Sequence, residues 1–179
     1  MWHHFNYERA AEMRKKYIPL EKVLSVVDLT STEVIMDVGG GDGFYSNLFS
    51  EKCSKVYYVD ASNSAVNMVK ENISGTHSNV EVIQDDICTM NLPKDLTKVF
   101  FSNSFHDLGC REKLIDRITE ISHERVKFIL IEFKKDSSIG PPESVKIHPD
   151  ELDSIFKRHG YELEKREFLQ EHYISSYRR

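Results

Sequence analysis

No stretch of this 179-residue chain is apolar for long enough to cross a bilayer. Runs such as Phe128-Ile129-Leu130-Ile131 stop far short of the ~20 residues that a membrane helix requires. The opening residues, Met1-Trp2-His3-His4-Phe5, have neither a basic start nor an apolar stretch ending in small residues, so no secretory signal is expected. Cysteine is scarce. Cys53, Cys88 and Cys110 are odd in number and widely spaced, match neither a CxxC metal pair nor a disulfide framework, and read as three reduced thiols of a cytoplasmic protein. The eight histidines contain no HExxH or HxxxH pair, so no metal site is expected. Positive charge is also wanting: 24 Lys and Arg against 29 Asp and Glu give −5, the wrong sign for a module that grips nucleic acid through its phosphates. The pairs Lys134-Lys135 and Arg178-Arg179 read as solvated charge.

What is present is a globular balance, 40% apolar and 30% charged residues, enough for one buried core. Strand-like and helix-like segments alternate along the chain, the order that builds a parallel sheet covered by helices. Leu20, Val23, Leu24 and Val27 recur at helical spacing after Pro19. Val34-Ile35-Met36-Asp37-Val38 is a β-branched first strand, expected to be central and buried. A helix with Phe44, Tyr45, Leu48 and Phe49 on one face leads to a second strand, Lys55-Val56-Tyr57-Tyr58-Val59, ending at Asp60. Ser62 or Asn63 then caps a helix with Val66, Val69 and Ile73 inward, ended by Gly75, and Val80-Glu81-Val82-Ile83 is the third strand.

Residues 85–98, broken by Pro93, are too short for a full helix, so the fourth strand follows a loop and that face of the sheet should be thinly covered. A helical stripe of Leu114, Ile115, Ile118 and Ile121, a long fifth strand over 126–133, a loop over 134–148 and a helix opened by Pro149 and closed by Gly160 follow. The tail, 161–169 and 172–177, reads as an antiparallel hairpin. The expectation is one α/β domain over 1–179, with 1–30 a helical N-terminal lid segment and 31–179 the core.

The sharpest local signal is Asp37-Val38-Gly39-Gly40-Gly41-Asp42-Gly43 between a buried strand and a helix. Such a turn lets a ligand approach the backbone closely, and the helix start offers free N–H groups to an anion. The dinucleotide pattern G-x-G-x-x-G fails, because its last position falls on Phe44 or Ser46. What fits is acidic-x-Gly-x-Gly-x-Gly, which resembles motif I of the class I S-adenosylmethionine-dependent methyltransferases. Phe5-Asn6-Tyr7-Glu8-Arg9-Ala10, Gly140-Pro141-Pro142-Glu143 and residues 147–152 are similar to small archaeal and bacterial members of the methyltransferase type 11 group, the branch related to quinone-biosynthesis and arsenite enzymes. Gly40 and Asp42 depart from the Gly-Cys or Gly-Thr of many relatives, and the three cysteines match no metalloid ligand set.

The resemblance implies a Rossmann-like, seven-stranded, mostly parallel sheet in the order 3-2-1-4-5-7-6 with the last strand antiparallel. It implies S-adenosylmethionine as cofactor, held by Asp37, Gly39, Gly40, Gly41 and Gly43, by Asp60 and Ala61 at the ribose, by Asp86 and Ile87 at the adenine, and by Asn103 and Ser104 toward the methionine end. Asp85 competes with Asp86. His106 stands on the same rim, where ligands of open α/β sheets bind, and its reference pKa suits a proton acceptor. Trp2, Phe5, Tyr7 and Tyr17 could form a mobile lid or simply pack. The Asn/Asp-Pro-Pro-Tyr motif of amino methylation is replaced by Asn103-Ser104-Phe105-His106, which with the negative charge and no appended recognition domain favours a small-molecule acceptor. A protein or RNA methyltransferase, a nicotinamide-dependent oxidoreductase and a non-catalytic cofactor-binding subunit are the alternatives.

Overall fold

The computed structural model of the protein describes residues 6–73, 78–122 and 126–179. Its centre is a seven-stranded sheet of β1 (Val34–Val38), β2 (Lys55–Asp60), β3 (Val80–Gln84), β4 (Lys98–Ser102), β5 (Lys127–Phe133), β6 (Glu162–Phe168) and β7 (His172–Arg178), ordered β3-β2-β1-β4-β5-β7-β6. Every pairing from β3 to β5 is parallel, and β7 runs antiparallel to both of its neighbours. The order and directions are those that the family resemblance implies. It reverses between β1 and β4, so the connections leaving those two strands part in opposite directions and open a crevice at their C-terminal ends.

Six helices accompany the sheet among the described residues: α1 (Tyr7–Tyr17), α2 (Leu20–Val27), α3 (Phe44–Ser50), α4 (Asn63–Ile73), α5 (Arg111–Ile121) and α6 (Pro149–Arg158). Strand side chains alternate between two cores, as period-two geometry demands. Met36, Val38, Val99, Phe101, Phe128 and Leu130 pack beneath α5 and α6, and Ile35, Val56, Phe100, Ile129 and Ile131 pack beneath α2 and α3. The strands are therefore apolar on both faces, the pattern of a covered parallel sheet.

Three local expectations are revised. The N-terminal segment holds two helices, because Ile18-Pro19 breaks the path and Pro19 serves as the cap before Leu20. In α3 the buried face is Tyr45, Ser46, Phe49 and Ser50, whereas Phe44 is 40% exposed. The β3–β4 connection has no helix, as expected, yet the face is not thinly covered: Ile87, Met90 and Leu96 are buried there. Arg117 of α5 donates to the carbonyls of Ile87, Cys88 and Met90, so an irregular loop is held by one side chain. Ser62 closes the start of α4, its carbonyl accepting from Val66 N–H. The expected end of that helix at Gly75 lies outside the described residues, as do Trp2 and Phe5. No described helix is long and apolar enough to cross a membrane.

The cysteines are the clearest correction. Cys88 and Cys110 are joined by a disulfide across 22 residues, with Cα atoms 5.8 Å apart, and Cys53 is the free, buried one. The β3–β4 connection returns across the sheet and brings Cys88 beside the residue that precedes α5, a proximity that linear spacing does not carry. The inference from three thiols to a reducing compartment loses that support. Closing a loop of this length contributes about 3 kcal/mol in the chain-entropy picture. Thermal unfolding followed by circular dichroism with and without a reductant should show a lower midpoint when reduced, and Cys88→Ser should lower the midpoint and abolish its sensitivity to reductant.

Candidate functional site

The turn between β1 and α3 is built by three glycines with positive φ, Gly39 at 68°, Gly41 at 56° and Gly43 at 76°. Two positions show why side chains are excluded. A Cβ on Gly40 would stand 2.5 Å from the Tyr58 ring, and one on Gly43 would stand 2.3 Å from Val69 Cγ2. The turn is thus pressed against β2 and α4, with Tyr58 Oη donating to Gly41 O at 2.8 Å. Gly39 and Gly40 N–H both point at Val59 O, which leaves the outer side of the turn facing a cavity.

That cavity is about 740 Å³ and lies outside the C-terminal ends of β1 to β4, within the usual range for small-ligand sites. Every residue expected from the sequence to hold the cofactor, and His106 with them, lines it except Gly43, whose part is to let α3 and α4 approach. Asp60 is held in place by two backbone amides: Gly41 N–H donates to Oδ2 at 3.0 Å and Ser62 N–H to Oδ1 at 2.8 Å. Asp86 is exposed and turned by Cys88 N–H, which donates to its Oδ1 at 2.9 Å. Its competitor Asp85 also lines the cavity, its Oδ1 accepting from Asp86 N–H. Ile87 is buried beside them.

Asp37, at the start of the turn, is 1% exposed, and its Oδ2 accepts from Ser46 Oγ at 2.7 Å. Burial pushes its pKa up to about 7, partly countered by Ser46 and reinforced by Asp60 and Asp42.

Over the turn lies α1, which has no buried residue of its own. It is fastened by Arg14, whose guanidinium grips Asp42 through two contacts of 3.2 and 2.6 Å and stacks 4.1 Å above the Phe44 ring. Tyr7 reaches Ser62 Oγ at 3.4 Å and also lines the cavity, whereas Tyr17 does not.

The far end of the cavity is built from β4, β5 and β7. Asn103, just past β4, sits at φ 54°, a left-handed conformation that Asn tolerates and that often marks functional sites. Ser104 Oγ donates to Val38 O at 2.6 Å, tying the rim of β4 to β1. His106, in a single 3-10 turn over Phe105–Asp107, is 7% exposed. Its Nδ1 is 2.7 Å from Oε2 of Glu132, a fully buried carboxylate on β5. Burial works against the charged imidazolium, but the Glu132 hydrogen bond and charge, with Asp107, outweigh it and hold His106 above the ordinary histidine value. His172 of β7 is 1% exposed, and burial pulls it down to about 4, so its ring is neutral near pH 7. Glu132 and His172 escaped the sequence reading. Glu132 lies inside an apolar strand, where a lone acid is the available signal, and His172 reads as the first residue of a hairpin strand.

Two buried side-chain atoms here have no partner among the described residues, Asn103 Oδ1 and His172 Nδ1, although Asn103 Nδ2 and His172 Nε2 approach to 3.4 Å. Both residues line the cavity. Buried polar atoms are rarely left unpaired, so a polar ligand group fits this end. Residues 35–124 match the family model described as a methyltransferase domain. The chain belongs to this methyltransferase family.

The fold agrees. A SAM-dependent methyltransferase from Aquifex aeolicus superimposes with a TM-score of 0.84 over 97% of this chain and 98% of that one, at 23% identity. A Sulfolobus solfataricus protein described as a type 11 methyltransferase gives 0.70 at 27% identity, covering 83% of this chain and 84% of that one. Fold and family are those of class I S-adenosylmethionine-dependent methyltransferases, as the glycine turn led us to expect. Among curated relatives, a ribosomal RNA small subunit methyltransferase A from Methanococcoides burtonii is 28% identical over 75 residues, 42% of this chain. The aligned part spans only 27% of that relative's length.

The residues present suit the cofactor: a side-chain-free turn, carboxylates at two successive strand tips, and unpaired polar atoms beyond. Asp37 yields a prediction on stability. Its folded pKa lies above the unfolded value, so its contribution is full below about pH 4 and is lost as pH rises toward 7, by up to about 4 kcal/mol. Urea unfolding of wild type and Asp37→Asn at pH 5 and pH 8 should show the wild type losing more stability than the variant between the two.

Proposed function

We propose that this methyltransferase transfers the methyl group of S-adenosylmethionine to a small molecule seated in the same cavity. The observation that carries the reading is that the tips of β1, β2 and β3 and the rim of β4 all open into one space of about 740 Å³. In this reading the glycine turn holds the methionine end, Asp60 accepts from the ribose hydroxyls, and Asp86 receives the adenine amino group with Ile87 against the ring. Bound S-adenosylmethionine supplies a methyl group already activated by its sulfonium.

The chain's own task is alignment and exclusion of water, and orientation alone can supply roughly 7–11 kcal/mol of a barrier. Asp60 suits its part because backbone amides fix the carboxylate before any ligand arrives. The N-terminal segment acts as a lid: α1 is held by the Arg14–Asp42 pair and the Tyr7 contact, not by a buried face, so it can lift without exposing core. The acceptor enters beyond the methionine end, between the β4 rim and the loop that carries Gly140 and Pro141.

RNA is the rival acceptor, since the curated relative named above is described as a ribosomal RNA methyltransferase. With Asp42 paired to Arg14, the acids Asp85, Asp86 and Asp107 line the cavity against one further cation, Arg9, and they oppose a phosphate backbone. Asn103-Ser104-Phe105-His106 also stands where an amino-methylating enzyme would carry its Pro-Pro-Tyr sequence.

Isothermal titration with S-adenosylhomocysteine should give micromolar-range affinity, reduced at least tenfold in Asp60→Ala; undiminished binding by that variant removes the ribose assignment. A coupled assay of S-adenosylhomocysteine release over a metabolite panel and over ribosomal RNA should respond to a metabolite, and a response to the RNA alone rules out a small-molecule acceptor.

A further inference from the structure

We infer that His106 is the base that takes the acceptor's proton, that Glu132 is the positioning residue that sets its tautomer, and that the acceptor is therefore an O–H or S–H acid such as a phenol, an enol or a thiol. The inference rests on the methyl-transfer reading and deepens it.

Glu132 approaches His106 twice, Oε2 at 2.7 Å from Nδ1 and Oε1 at 3.3 Å from the backbone N–H. A carboxylate accepts, so the neutral ring carries its proton on Nδ1 and keeps a lone pair on Nε2. His106 lines the cavity. The other charged groups that act on the ring are Asp107, whose Oδ1 is 3.6 Å from Nε2, and Arg111 of α5. A fully buried Glu–His pair is a poor way to gain stability, since apolar side chains of the same size do as well or better. Its use becomes intelligible where an imidazolium has to form, because the charge that stabilises it is already in place.

The step balances as follows. A lone pair on the acceptor oxygen or sulfur forms a bond to the methyl carbon, the carbon–sulfonium bond breaks with its electron pair returning to sulfur, and the acceptor's proton moves to His106 Nε2. Imidazole is matched to phenols, enols and thiols, whose protons it can accept near neutral pH. An aliphatic ammonium holds its proton too firmly for this base, and a neutral aromatic amine attacks without one. The walls agree with a planar body: Phe133 lies 6.1 Å from the His106 ring and 4.4 Å from the His172 ring, with Pro141 also lining the cavity.

The test uses the full chain with S-adenosylmethionine and four probes, phenol and benzyl mercaptan against benzylamine and phenethylamine, and reads S-adenosylhomocysteine release. Transfer to the oxygen or sulfur probe and not to the amines is expected. His106→Gln should lose about a hundredfold or more in kcat. In Glu132→Gln the acid limb of the kcat/KM profile should move down by on the order of one pH unit, because the charge that raises the His106 pKa is gone. Glu132→Asp should recover part of the shift. Affinity for S-adenosylhomocysteine should stay within twofold in all three variants, and thermal unfolding shows which of them are folded. Transfer to the amines only, silence toward both protic probes, or a Glu132→Gln profile that superimposes on wild type overturns the inference while cofactor binding, and with it the methyl-transfer reading, stands. Loss of S-adenosylhomocysteine binding in the wild-type protein overturns both.

Discussion

Everything at the ligand-binding end depends on how closely the turn after β1 approaches its neighbours. At Gly40 the backbone touches the Tyr58 ring, at Gly39 the space where a Cβ would stand is 2.8 Å from Ser104 Cβ, and at Gly43 it meets Val69. One segment therefore sets the spacing of β1 to β2, to β4 and to α4 together. A side chain at any of these positions would push apart elements whose tips must share one ligand. The same compression frees the outer surface of the turn and leaves Gly41 N–H to fix Asp60, so the shape of the cavity and the direction of its carboxylate have one origin.

Charge is distributed along the cavity in a consistent way. Near the turn, Asp37 is buried with a hydroxyl for a partner and is pushed toward neutrality, while Asp42 is spent on Arg14. At the opposite end, two histidines whose rings lie 6.1 and 4.4 Å from that of Phe133 are driven in opposite directions. Burial, with the Lys146 charge, depresses His172, whereas a buried carboxylate more than offsets burial at His106. One strand neighbour makes the difference, since Glu132 and Phe133 are adjacent on β5 and point to opposite faces. The two rings thus offer different chemistry to one ligand, a neutral hydrogen-bonding edge and a base with a counter-charge.

The loops that finish the cavity are held by few but specific ties. The β3–β4 connection carries Asp86 and Ile87, and it is fastened by Arg117 and by the Cys88–Cys110 bond. Helix α1 is fastened by Arg14 and Tyr7. Helix α1 relies on no buried apolar face, whereas the β3–β4 connection also buries Ile87, Met90 and Leu96.

Local pattern in the chain was enough to place the strands and to mark the residues that line the cavity at their tips, and the order of the strands came with the family resemblance that the glycine turn carries. Glycine spacing, the acid that ends β2 and the acids after β3 are each a short-range feature, and a parallel sheet of known order carries such features to one rim. What tertiary structure alone decided are the pairings between distant residues: Cys88 with Cys110, Arg14 with Asp42, and above all Glu132 with His106, 26 positions apart. Glu132 reads in sequence as an acid interrupting an apolar strand, and His172 as one residue of a hairpin. Their chemistry comes from burial and from a partner brought by another strand, and neither burial nor partnership is written in the residues that flank them.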